Sequence, residues 1–174
     1  MAAPAAPSTS SLPQAQEPAF ASPYRQGVRA GLFGAALLAL WFFFLDFSRG
    51  KPLYTPTVMG TALFRGGEGL TSPETLPASM ALTLLFTIVH GLLFILIGIA
   101  GVRLLSLIGR GPNLALGILL LFAVLGLGFF SFAITFSAVA LNALQIQDVL
   151  IGNAVAAVGM AVYLLRHYGG GKAL

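Results

Sequence analysis

The sequence contains no cysteine, one tryptophan, two histidines and little charge: nine Lys and Arg against five Asp and Glu in 174 residues, or 8%. Without cysteine there is no disulfide framework, no thiolate nucleophile and no Cys-ligated metal or cluster. Soluble domains carry about a quarter charged residues, so this chain lacks the means to cover a globule with a solvated surface. That argues against a soluble enzyme, a disordered regulator and a free nucleic-acid binder. The pI of 10.0 is high, yet the net charge is only +4. The basic residues flank apolar runs, as headgroup anchors do, and form no patch. A phosphate-binding glycine loop, a His-Glu-x-x-His pair and a Ser-His-Asp order are absent too. The chain reads as a non-enzyme.

What is present is apolar: 57% hydrophobic residues and a mean hydropathy of +0.93. Four runs read as spans, at about 28–48, 80–102, 114–141 and 148–166. About 20 helical residues cross a hydrocarbon core of roughly 30 Å, so the middle two suffice, and the outer two suffice if their flanking residues snorkel. The third, roughly 42 Å long as a helix, must tilt or project. The expected fold is all-α: an up-and-down four-helix membrane bundle over residues 25–168. Residues 1–24, rich in Ala, Pro and Ser, read as a disordered cytoplasmic tail, because no basic segment precedes a short apolar core as in a signal peptide. Residues 169–174 read as a flexible C-terminus.

Positive charge sets the expected topology. Arg25, Arg29, Arg103, Arg110, Arg166 and Lys172 fall on one side, and Arg49, Lys51 and Arg65 on the other. The positive-inside rule then puts both termini in the cytoplasm of a bacterial inner membrane. The long loop at 48–79 is the exception among short connections, and long loops are usually functional or disordered. Thr55-Pro56 reads as an N-cap followed by Pro at N1, opening a short amphipathic helix over residues 56–64 that lies in the outer interface. Val58, Met59, Ala62 and Leu63 would share its apolar face, with Thr57, Gly60 and Thr61 opposite. Gly66, Gly67 and Gly69 would end it.

His90 is the one histidine inside a span, and an ionisable residue there is a functional candidate by default. Thr83, Thr87 and His90 share a helix face, and Ser131 and Thr135 form a similar stripe on the third helix. Counting from the outer end puts His90 roughly 15 Å deep, level with Ser131. A polar seam of Thr87, His90, Ser131 and Thr135 is therefore expected. Three readings of His90 stand open: interhelical glue to Ser131 or a backbone carbonyl, a ligand or proton-relay site, and axial ligation of a haem or chlorophyll-type pigment. For the haem case His167 lies too far away, and Met160 is the available second ligand. Asp46, near the outer end of the first helix, reads as paired with Arg49 at i, i+3 or as the mouth of a path towards His90. The stripes Gly27, Gly31, Ala35 and Gly152, Ala156 suit close helix packing.

Asp46, the loop Gly50-Lys51-Pro52-Leu53-Tyr54-Thr55-Pro56, and His90 with Phe94 and Gly98 resemble one group of small bacterial four-helix membrane proteins. That group has an Asp, a G-[KR]-P-L-x-T-P loop and a His-x3-Phe-x3-Gly motif. The resemblance covers roughly residues 30–98, implies the four-helix fold and carries no activity with it. The expected role is a structural or accessory subunit of a larger membrane complex, with lipid and other membrane subunits as partners and no nucleic acid. The alternatives are a haem- or pigment-binding electron-transfer subunit with His90 as ligand, and a small transporter or sensor with a cavity lined by Asp46, Thr87, His90 and Ser131. No cofactor is named by the residues.

Overall fold

A computed structural model describes residues 21–108, 116–117, 119–124, 126–128 and 143–168. Its elements are helix α1 (Ala21–Ser48), short helix α2 (Tyr54–Phe64), a 3-10 turn (Pro73–Thr75), helix α3 (Met80–Ile108) and helix α4 (Ile146–Tyr168). No strand occurs among the described residues. Among the described residues, three helices are long and apolar enough to cross a membrane, over Tyr24–Ser48, Met80–Arg103 and Ile146–His167. They correspond to the first, second and fourth expected spans. The third expected span lies mostly outside the described residues, so the fold established is an all-helical one with three candidate spans. Helix α1 begins at Ala21, inside the stretch read as a tail.

Helix α1 is the centre, with α3 and α4 both packed against it. The reason is legible in its small residues. A Cβ placed on Gly31 would lie 2.7 Å from the Ile95 Cα and would strike the Phe94 carbonyl; one on Gly98 would strike the backbone of Gly27 and Gly31. Lipid tails are as apolar as leucine, so helices in a bilayer associate through such close backbone approach, not through a hydrophobic drive. One turn further along α1, Ala35 lies in the core with Phe94. Helix α4 docks through its own stripe: a Cβ on Gly152 would sit 2.6 Å from Leu38 and 2.7 Å from Trp41, and Ala156, Ala157 and Met160 are fully buried.

Helix α2 departs from expectation. It starts at Tyr54 and is buried on both faces. Thr57 and Thr61, expected on its polar side, are each 1% exposed. Gly60 faces the Leu82 carbonyl of α3, where a Cβ would be only 2.7 Å away. Val58, Met59 and Ala62 share a second apolar core with Leu70, Leu144 and Val149. The amphipathic reading fails because α3 and the start of α4 enclose a helix whose threonines bond inward: Thr61 Oγ1 donates to the Thr57 carbonyl at 2.8 Å, and Thr57 Oγ1 lies 3.5 Å from Thr83 Oγ1. The loop is thus a folded cap on one end of the bundle.

Gly31→Ala should lower thermal stability in mild detergent by about 1–3 kcal/mol, the usual cost of overpacking a fitted interface. Gly91→Ala, at a glycine with nothing within 4 Å, should be neutral or stabilise by up to about 1 kcal/mol through helix propensity. Equal effects would contradict the assigned α1–α3 contact.

Candidate functional site at the loop end of the bundle

The site is built around the turn leaving α1. The Gly50 N–H donates to the Phe47 carbonyl at 3.0 Å, and the Lys51 N–H to the Asp46 carbonyl at 2.9 Å. This paired arrangement is a Schellman motif, which needs a left-handed residue after the helix, and Gly50 supplies it at φ 70°. Pro52 then prevents the helix from continuing. Leu53 also adopts a left-handed φ, 66°, a strained state for a side chain with a Cβ. It is held from both sides: the Tyr54 N–H donates to the Lys51 carbonyl, and the Thr57 N–H to the Leu53 carbonyl, each at 3.1 Å.

One first-turn donor of α2 remains, the Thr55 N–H, and Asp46 takes it. Asp46 Oδ2 accepts from the Thr55 backbone at 2.7 Å and Oδ1 from the Thr55 hydroxyl at 2.8 Å. Pro56 has no N–H to satisfy. The last turn of α1 is an unfavourable place for a carboxylate, because the helix dipole is negative there. The N-terminus of α2 is a favourable one, and the turn brings the two together. Asp46 is 2% exposed. Its partner is therefore Thr55, and the expected i, i+3 pair with Arg49 does not form.

Arg49 instead reaches α4, with Nη2 2.7 Å from Asp148 Oδ2 and 3.4 Å from Gln145 Oε1. Trp41 Nε1 donates to the Asp148 carbonyl at 2.9 Å, so α1 holds the first turn of α4 at two points. The Tyr54 hydroxyl donates to the Ala143 carbonyl at 3.3 Å, and burial pushes its phenol pKa above the ordinary value. Lys51 Nζ lies over the Tyr54 ring, 5.4 Å from its centroid, and donates to the Glu74 carbonyl at 3.3 Å. Between these groups lies a cleft of about 260 Å³, lined by Phe42, Asp46, Arg49, Lys51, Tyr54 and Asp148 together with residues 143–145.

His90 lies elsewhere. Its Nε2 is 3.4 Å from the Ala35 carbonyl of α1, and its ring sits between Phe86 and Phe94, with centroids 5.5 and 4.6 Å away. The bond runs to α1 and not along a seam with Thr87, whose hydroxyl donates back to the Thr83 carbonyl at 2.7 Å. Ser131 and Thr135 lie outside the described residues. Asp46 and His90 are thus not brought into one site. No three acidic, His or Cys side chains converge as a metal site among the described residues. Sequence reasoning missed Thr55 and Asp148 as partners; the spacing from Asp46 to Thr55 across a Gly-x-Pro turn was the available signal. The buried amide nitrogen of Asn153 has no hydrogen-bond partner among the described residues.

No family model, curated protein or solved structure matches the chain.

Asp46→Ala should cost about 1.5–3 kcal/mol, since it strips a charged acceptor from two donors. Thr55→Val should cost about 1 kcal/mol, and the double variant less than the sum, by at least about 0.5 kcal/mol. Arg49→Gln, at a half-exposed pair, should cost less than about 1 kcal/mol. Detergent unfolding curves read all four, and strict additivity of the first two would remove the Asp46–Thr55 coupling.

Proposed function

We propose that the chain is a multi-pass protein of a bacterial inner membrane, with four spans and cytoplasmic termini, serving as a non-enzymatic structural or accessory subunit of a larger membrane complex. On this reading it belongs with the small four-helix proteins that its Asp46, G-K-P-L-Y-T-P and His-x3-Phe-x3-Gly residues resemble. The observation that carries the reading is how the polar side chains of the spans are used. Asp46, Thr83, Thr87 and His90 each bond to the chain's own backbone or loop helix. The bonds of Asp46, Thr83 and His90 join separate elements, and that of Thr87 closes within α3. The motif residues are those that build the cap and the α1–α3 contact, so a scaffold accounts for them.

Broad apolar faces complement this. Leu84, Ile88, Leu92 and Leu96, a single stripe on α3, are all exposed, as are Leu40, Phe44 and Phe47 on α1. In a bilayer these meet lipid or the helices of other subunits. Engagement of His90 Nε2 by a carbonyl, between two phenyl rings, favours the interhelical reading over axial ligation.

Extraction of native membranes in mild detergent, followed by a native gel and mass spectrometry, tests the proposal. Migration within a large complex of reproducible composition is the expected result. Migration as a monomer or small homo-oligomer would overturn it, as would a visible absorption band lost in His90→Leu.

A further inference from the structure

The cleft at the loop end has features that a purely structural cap does not require. It lies where all three apolar stretches stop, at Ser48, Met80 and Ile146, which is the headgroup level of a bilayer if these helices span. Its wall is part aromatic and aliphatic, from Phe42 and Leu144, and part charged, from two cations and two carboxylates. The four charges sum to zero, and of these only Arg49 and Asp148 cancel in place. Arg49 has Asp148 as its counter-ion. Lys51 has no carboxylate partner among the described residues, only a carbonyl and a ring face.

Donors and acceptors remain on both sides of the cleft. An ammonium offers three N–H donors and a guanidinium five; Lys51 uses one on Glu74, and Arg49 uses Nη2 alone. A carboxylate offers about four lone-pair positions, and Thr55 occupies two on Asp46. A volume of about 260 Å³ falls just under the roughly 300–1,000 Å³ of drug-sized pockets, which suits a headgroup and not a larger ligand. A neutral field with separated signs selects a compact zwitterion over a simple anion or cation.

We propose that this cleft binds a phosphoethanolamine-type zwitterion, with its phosphate held by Arg49 and Lys51 and its ammonium by the carboxylates of Asp148 and Asp46. Phe42 and Leu144 then flank the glycerol side. The same chemistry is offered by phosphatidylethanolamine and by a soluble glycerophosphoethanolamine. The three N–H donors of the ammonium are part of the recognition, so its trimethylated form is a poor substitute. A headgroup lacking the ammonium leaves Asp148 facing the phosphate and is poorer still.

The test uses the full chain, delipidated in detergent and offered an equimolar mixture of dioleoyl phosphatidylethanolamine, phosphatidylcholine and phosphatidylglycerol, with retained lipid read by native mass spectrometry. Phosphatidylethanolamine should be retained about tenfold over either competitor. Asp148→Asn, which removes one of the two charges that hold the ammonium, should abolish that preference, whereas Lys51→Ala should weaken retention of all three lipids alike. Displacement by excess glycerophosphoethanolamine would show that the headgroup alone suffices, and failure to displace would identify the intact lipid as the ligand. Equal retention of the three lipids, a preference for phosphatidylglycerol, or an unchanged preference in Asp148→Asn would overturn the proposal. The lipid comparison on the unaltered chain keeps the test decisive even if a variant misfolds.

Discussion

The bond between the Asp46 carboxylate and Thr55 is the constraint on which the loop end depends. A chain leaving a helix at the end of a bundle has backbone donors to place, and burial under a cap leaves little water to take them. Here one carboxylate accepts a backbone and a hydroxyl donor of the next helix, 2.7 and 2.8 Å away. That choice dictates the rest of the turn. Gly50 must be left-handed, Pro52 must follow, and Leu53 must accept strain so that Thr55 faces back towards Asp46. With α2 held in this way, Thr57 can meet Thr83 and the Ser79 N–H, and Gly60 can approach α3. The cap then closes over Leu70, which is fully buried.

The second organising feature is backbone proximity without side chains. Gly27 and Gly31 on α1 face Gly98 on α3, and the next turn inward pairs Ala35 with Phe94 and His90. The His-x3-Phe-x3-Gly spacing therefore describes one stripe of α3 read against the small stripe of α1. Glycine permits contact, phenylalanine fills the adjoining core, and histidine reaches the Ala35 carbonyl. Towards α4, Gly152 admits Leu38 and Trp41, and Trp41 reaches the first turn of α4. One helix thus carries two interfaces, with its own glycines facing α3 and with Leu38 and Trp41 set against a glycine of α4.

Much of this was legible beforehand. Three of the four expected spans fall inside helices of the structure, which run up to seven residues further at one end, because long apolar runs admit few alternatives. The Gly27, Gly31, Ala35 and Gly152, Ala156 stripes were readable as packing surfaces for the same reason, as was the start of a short helix near Thr55-Pro56. Burial of the loop helix was not readable. Threonine counts as polar in any periodicity, yet Thr57 and Thr61 bond to neighbours that only the fold supplies. Nor could the partner of Asp46 be found by helical spacing, since Arg49 is nearer in sequence and Thr55 lies across a turn. A backbone carbonyl was among the partners open to His90, but that it belongs to Ala35 of α1 was not readable, because sequence gives depth and not azimuth.

The central claim is that the first loop folds into the bundle and is held there by Asp46. The chain has no native cysteine, so a pair introduced at Thr57 and Thr83, whose hydroxyl oxygens lie 3.5 Å apart, reports that contact without background. Mild oxidation in native membranes should form the intramolecular disulfide readily, and adding Asp46→Ala should sharply reduce its yield. A pair that stays reduced would show that the loop helix does not pack on α3. A yield indifferent to Asp46→Ala would show that something other than this carboxylate holds it in place.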